Sequence, residues 1–242
     1  MPSETLSQNR LEIWYASCAD IDAATFNHAE TQILSPEERE RMHRFRQAAD
    51  QRLHLTARLL LRSMLAAFTG VAAADWRFRF NDHGKPQPEE GFPQVRFNLS
   101  HSNGLAICAI HPSREVGVDV EPLDRRIGSS TAASVLSEGE WQCYSETQEE
   151  QKPEVFIKYW VLKEAYLKAI GKGLSLPLTD FSFEFDKAGK PQLSSTNTEE
   201  DQVKDWLFFE FQPAPGYAAA AAIGGEVDQP VAVALNVRPF TP

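Results

Sequence analysis

The chain has 242 residues, 42% of them hydrophobic, enough to bury one large core or two small ones. Its 34 acidic and 24 basic residues give a net charge of −10, which argues against a general nucleic-acid binder. It holds no run of about 18 apolar residues, so no membrane span or membrane partner is indicated. The opening MPSETLSQNR lacks the charged-then-apolar pattern of a signal peptide. Cys18, Cys108 and Cys143 form no C-x-x-C pair and read as reduced thiols of a cytoplasmic protein, with neither a disulfide framework nor a zinc site.

Arg39, Arg41, Arg44, Arg46, Arg52, Arg58 and Arg62 follow one another with few acids after Glu40. Such a local basic stretch suits a nucleotide phosphate or an acidic partner. Residues 51–68 read as a helix, and Phe78-Arg-Phe80-Asn-Asp-His-Gly84-Lys85-Pro86-Gln87 as a strand entering a turn. Leu105 to Ile110 reads as a strand. Val116 to Glu121 alternates strictly, the period of a half-buried strand, with Gly117, Asp119 and Glu121 on one face. Segments 124–134, 144–154 and 193–205 read as exposed loops, the last one mobile. Residues 155–170 form a second long helix. Phe183 to Gln192 then repeats the Phe78 to Gln87 segment without gaps, 105 residues later. Ala218 to Ala222 has helix propensity, but the repeat places Tyr217 to Ile223 in a strand, the counterpart of Leu105 to Ile110.

An α+β fold of two similar, pseudo-duplicated halves follows, each a small antiparallel sheet packed with a long helix. The halves are expected at 1–113 and 114–242, with the final segment packing back on the first. Only the first half carries Asn98-Leu99-Ser100-His101-Ser102, and only the second carries Lys163-Glu164-Ala-Tyr-Leu-Lys168. That asymmetry suggests one active site at their interface.

In the second helix, Ile157, Trp160, Val161, Glu164 and Lys168 share one side, and Glu164 and Lys168 are spaced to meet. Charges in so apolar a helix must face solvent, a ligand or a metal. Asp119 and Glu121, roughly 6.5–7 Å apart along one strand face, can converge on a hard cation, with Gly117 leaving room for a ligand. Three carboxylates and a lysine match what Mg²⁺ and a phosphorylated substrate require.

These segments resemble the surfactin-type (Sfp-like) 4'-phosphopantetheinyl transferases. The family strand G-[IV]-D-[IV]-E is Gly117-Val-Asp119-Val-Glu121, and its helix W-x-x-K-E-[AS]-[FY]-x-K is Trp160-Val-Leu-Lys163-Glu164-Ala-Tyr-Leu-Lys168. The likeness includes Gly171 to Pro177, Gly84-Lys85-Pro86, Phe97 to Ser102 and Ser35-Pro-Glu-Glu-Arg39, in the family's order. It implies transfer of the 4'-phosphopantetheine arm of coenzyme A to a serine of an apo acyl or peptidyl carrier protein, releasing 3',5'-ADP, by a monomeric enzyme.

The resemblance also assigns residues. Asp119, Glu121 and Glu164 would hold Mg²⁺, Glu164 would act as general base with His101 as the alternative, and Lys168 would stabilise the departing phosphate. Lys85, Pro86, Ser100 and His101, with Asp119 and Lys168, would bind coenzyme A, and Arg41 and Arg52 its 3'-phosphate end. Glu38 departs from the family, where a basic residue occurs, and Glu140 matches a family acid. Another Mg²⁺-dependent enzyme cleaving phosphoanhydrides would consume its nucleotide without a carrier. A non-catalytic coenzyme A or carrier-binding module would lack an acid or the helix lysine. For the acidic carrier, the expected docking surface is apolar (Trp141, Tyr144, Phe156) with a basic rim at Arg125 and Arg126.

Overall fold

The computed structural model describes residues 4–125, 127–196, 206–224 and 233–241. Arg126 and most of the expected mobile loop, 197–205, lie outside these. The chain divides into two compact units: residues 1–113 with 233–242, and residues 114–232.

The first unit contains β1 (Arg10–Ser17), α1 (Ala23–His28), α2 (Pro36–His43), α3 (Ala48–Thr69), β2 (Phe78–Phe80), β3 (Pro86–Pro88), β4 (Arg96–Ser102) and β5 (Leu105–His111). The second contains β6 (Glu115–Pro122), α4 (Ser129–Val135), α5 (Glu138–Glu146), α6 (Lys152–Ile170), β7 (Phe181–Phe185), β8 (Pro191–Thr196), β9 (Leu207–Phe211) and β10 (Tyr217–Gly224). A last strand, β11 (Ala234–Pro239), belongs to the first unit.

The first unit is built on a sheet ordered β11-β1-β5-β4, over which α3 packs Leu60, Leu61, Met64, Leu65 and Phe68. Each such side chain contributes about 1.5–3 kcal/mol of burial. The sheet is mixed rather than antiparallel, because β11 pairs in parallel with β1, Leu235 opposite Leu11. A strand arriving from a distant part of the chain needs no hairpin and can take either direction. In the second unit α6 lies against β6 and β10 of a β6-β10-β9 antiparallel sheet. The alanine run sits in the central strand of this sheet, its backbone groups divided between two neighbours, and that pairing overrides alanine's helix propensity. Ala220 and Ala222 join the core around α6.

The repeat appears as two hairpins with one hydrogen-bond scheme. Asn81 N–H donates to Lys85 O (3.1 Å) and Asp186 N–H to Lys190 O (2.9 Å). The Asn81 side chain accepts from His83 and Lys85, and Asp186 from Ala188 and Lys190. Gly84 (φ 80°) and Gly189 (φ 77°) supply the left-handed residue that each turn needs. A second pair of counterparts precedes the long helices. Ser35 and Glu38 form a capping box on α2, and Ser137 and Glu140 form one on α5. In each box the glutamate also reaches a buried cation on the long helix, Arg62 in α3 and Lys163 in α6.

Two expected loops are partly helical. Residues 129–135 form α4, and α5 and α6 leave only 147–151 between them.

Candidate active site

The geometry of the second unit's site follows from one close approach. A Cβ on Gly117 would lie 1.9 Å from Ala165 O and 2.4 Å from Ala169 N. The space beside Gly117 is therefore filled by the backbone of α6, not open to a ligand as expected from the sequence. Opposite Gly117 and Asp119 on the neighbouring strand stand Ala222 and Ala220, and this floor of small residues seats the helix. Strand β6 is consequently buried on both faces from Val116 to Val120, rather than half-buried.

The approach brings the next turn of α6 onto the carboxylates. Lys168 Nζ donates to Asp119 Oδ1 at 2.6 Å, in preference to its helix neighbour Glu164. Asp119 is only 4% exposed, so its charge is neutralised where water cannot do so. Burial raises the Glu164 carboxyl above the usual range. The negative charge of Asp119 raises it further and Lys168 opposes; Glu121 and Arg125 exert smaller effects in opposite senses. Glu121 is paired with Arg125, four residues on, and the Arg125 guanidinium lies 5.1 Å from the Trp160 ring centre. As they stand, no three His, Cys, Asp or Glu side chains among the described residues are disposed to hold a metal ion. The carboxylates are matched instead with two cations.

Lys163, adjacent to Glu164 in sequence, has a separate task. Fully buried, it donates to Leu178 O and Phe181 O, both at 2.6 Å, and pairs with Glu140 at 2.8 Å. Burial lowers its pKa and Glu140 opposes the shift. Glu140 also accepts from Ser137 N–H and Phe183 N–H (2.8 and 2.9 Å), so this acid ties α5, α6 and β7 together.

In the first unit, Lys85 and Pro86 stand at the β2–β3 turn, and Ser100 (buried) and His101 (exposed) on β4. The imidazole of His54 on α3 is buried within reach of the charges of Arg58, Arg41 and His101. Its pKa is lowered to about 4, first by burial and then by the charges of Arg58, Arg41 and His101. Its Nε2 is buried with no hydrogen-bond partner among the described residues. Arg52 is used differently, as its guanidinium donates to Cys18 O (2.9 Å) and Ile21 O (2.7 Å), tying the start of α3 to the segment after β1. The arginine run is not one basic face. Arg62 is buried on Glu38 at 2.8 Å, with Arg58 3.9 Å from the same carboxylate, and Arg44 pairs with Glu40.

The model of the 4'-phosphopantetheinyl transferase superfamily matches residues 115–222, and that of the 4'-phosphopantetheinyl transferase N-terminal region matches residues 21–113. The 4'-phosphopantetheinyl transferase HetI of Nostoc sp. is 30% identical over 235 residues, which cover 95% of this chain and 94% of that protein. The chain belongs to the 4'-phosphopantetheinyl transferase superfamily. Sfp of Bacillus subtilis is 32% identical over 188 residues, covering 78% of this chain and 81% of that one. The L-aminoadipate-semialdehyde dehydrogenase-phosphopantetheinyl transferase of Xenopus laevis is 29% identical, covering 81% and 69%.

For this transferase the sequence reading groups Asp119, Glu121, Glu164 and Lys168, and it misses Arg125 as the partner of Glu121 and His54 as a buried residue within reach of the charges of Arg41 and His101. A histidine among the apolar positions of α3 was the available signal for His54. Of the expected apolar docking residues, Phe156 is 1% exposed and cannot serve, whereas Trp141 is 37% exposed and lies 5.6 Å from the Tyr144 ring. No helix among the described residues is long and apolar enough to cross a membrane.

Proposed function

We propose that the chain transfers the 4'-phosphopantetheine arm of coenzyme A to a serine hydroxyl of an apo acyl or peptidyl carrier protein, with release of 3',5'-ADP. The observation that carries this reading is the pairing of buried Asp119 with Lys168 beside Glu164, whose carboxyl is raised by burial and by its acidic neighbours. The serine oxygen bonds to the β-phosphorus, the pyrophosphate bridge breaks, and the electron pair leaves with the α-phosphate. Glu164 takes the serine proton, and a carboxyl raised by burial and acidic neighbours is a better general base than an ordinary one. Lys168 meets the charge that grows on the leaving phosphate as a point charge.

By chemistry the donor set suits Mg²⁺: Asp119, Glu121 and Glu164 offer hard oxygen ligands, and besides burial the charges of Asp119 and Glu121 contribute to the raised Glu164 carboxyl. Bound there, Mg²⁺ would supply Lewis-acid neutralisation of the pyrophosphate. Lys85, Pro86, Ser100 and His101 are assigned to coenzyme A on their sequence motifs, and Arg41 to its 3'-phosphate end. Arg52 is withdrawn from the set, since it is engaged with backbone carbonyls.

The test is incubation with coenzyme A, Mg²⁺ and a panel of apo-carriers, reading the mass gain of the arm on the carrier. Asp119→Ala, Glu164→Ala and Lys168→Ala should each abolish the gain in the fraction that circular dichroism shows to be folded. Coenzyme A cleavage without a carrier would favour a hydrolase, and binding without cleavage a non-catalytic module.

A further inference from the structure

The site holds a cation for which the transfer scheme has no use. Arg125 stands in the turn after β6, its N–H donating to Pro122 O (3.3 Å). Its guanidinium pairs with Glu121 and lies against Trp160, one helical turn before Glu164. The Arg125 side chain is 40% exposed while Glu121 is 13% exposed, so the acid is fixed and the cation has a way out. The other cation, Lys168, is carried on a helix seated against Gly117 and is 28% exposed.

Asp119 is paired with Lys168 and Glu121 with Arg125. A divalent cation binding Glu121 must share or take over the carboxylate whose Oε1 Arg125 now holds, and it competes there with the charge of the guanidinium. Of the two cations, Arg125 is the freer to move, because a turn residue can swing toward solvent without disturbing the sheet.

We propose that Arg125 is a built-in competitor of the divalent cation. It occupies Glu121 when no metal is bound, is displaced on metal entry, and so sets the metal affinity of the site. Trp160 contributes by holding the planar guanidinium in position, as an aromatic face does for arginine better than for lysine. The proposal rests on the reading of Asp119, Glu121 and Glu164 as metal ligands.

The experiment measures Mn²⁺ binding to the full chain, by loss of the free-ion electron paramagnetic resonance signal at fixed pH and low salt. Arg125→Ala and Arg125→Gln should lower the dissociation constant about two- to fivefold, the range of a partly exposed ion pair. Arg125→Lys should fall between them and the natural protein, and the gain should shrink as salt screens the pair. Circular dichroism checks that the variants are folded, and the glutamine variant retains side-chain length if alanine perturbs the turn. Unchanged or weaker Mn²⁺ binding in both neutral variants, with Asp119→Asn and Glu121→Gln still weakening it, would overturn the competitor role alone. If neither acid variant alters Mn²⁺ binding, the metal reading and this proposal fall together.

Discussion

Gly117→Ala tests the contact on which the candidate site depends. The added methyl would begin 1.9 Å from Ala165 O and 2.4 Å from Ala169 N, where ordinary contact starts at 3.4 Å. Both obstructing atoms are backbone, so no side chain can turn aside, and strand and helix must separate by about 1.5 Å along that line. Overpacking of this kind costs about 3 kcal/mol, and the melting temperature should fall by about 6–12 °C. The same displacement would stretch the 2.6 Å Asp119–Lys168 contact beyond hydrogen-bond range. Misplacement of catalytic groups by 1 Å can reduce rate about 100-fold, so carrier modification should fall at least that far. The assay pairs thermal melts with mass-spectrometric transfer rates, measured well below the variant's melting temperature. A Gly117→Ala protein with natural stability and near-natural transfer would refute the claim that this glycine seats the helix.

Lys163→Met should destabilise the chain by about 3–5 kcal/mol, read in urea melts, because it leaves Glu140 buried without its cation. Transfer by the fraction that remains folded should be nearly unchanged, since Lys163 touches only structural partners. His54 is neutral in the native chain down to about pH 4 but takes up a proton near 6.5 once unfolded, so native stability falls as pH drops through that window. His54→Leu should abolish about 2–3 kcal/mol of the stability difference between pH 7 and pH 4.5, measured by denaturant titration. For Glu164 the raised native pKa has the opposite sense. The native state holds the proton longer than the unfolded state, so stability is lost as pH rises through the raised value. Glu164→Gln should therefore raise the melting temperature at neutral pH while abolishing transfer, and a lower melting temperature would contradict the burial of this carboxylate among like charges.

Some features of this protein are local and can be read in the chain. The i,i+4 spacing of Glu164 and Lys168 and the alternation that aligns Asp119 with Glu121 depend on residues near one another in sequence, and the Gly-Lys-Pro-Gln repeat on a direct match between two segments. The repeat also overrode the helix propensity of the alanine run correctly, because it carried information from the other half. Other features were decided by tertiary packing. Gly117 in isolation reads as an opening for a ligand, and only the arrival of α6 shows that the opening is filled by the helix itself. The i,i+4 rule permits Lys168 to meet Glu164, but the buried Asp119 presented by another element takes it, since an unpaired charge there would be costlier. Lys163 and Lys168 look alike in sequence, five residues apart on one helix. One is enclosed by Glu140 and two carbonyls from elements beyond the helix, and the other faces the carboxylates of β6. The arginines of residues 39–62 diverge in the same way, two of them drawn to Glu38 and one to backbone carbonyls. Spacing determines which side chains can lie together on one element, whereas the partner each charge takes depends on which elements meet and how closely.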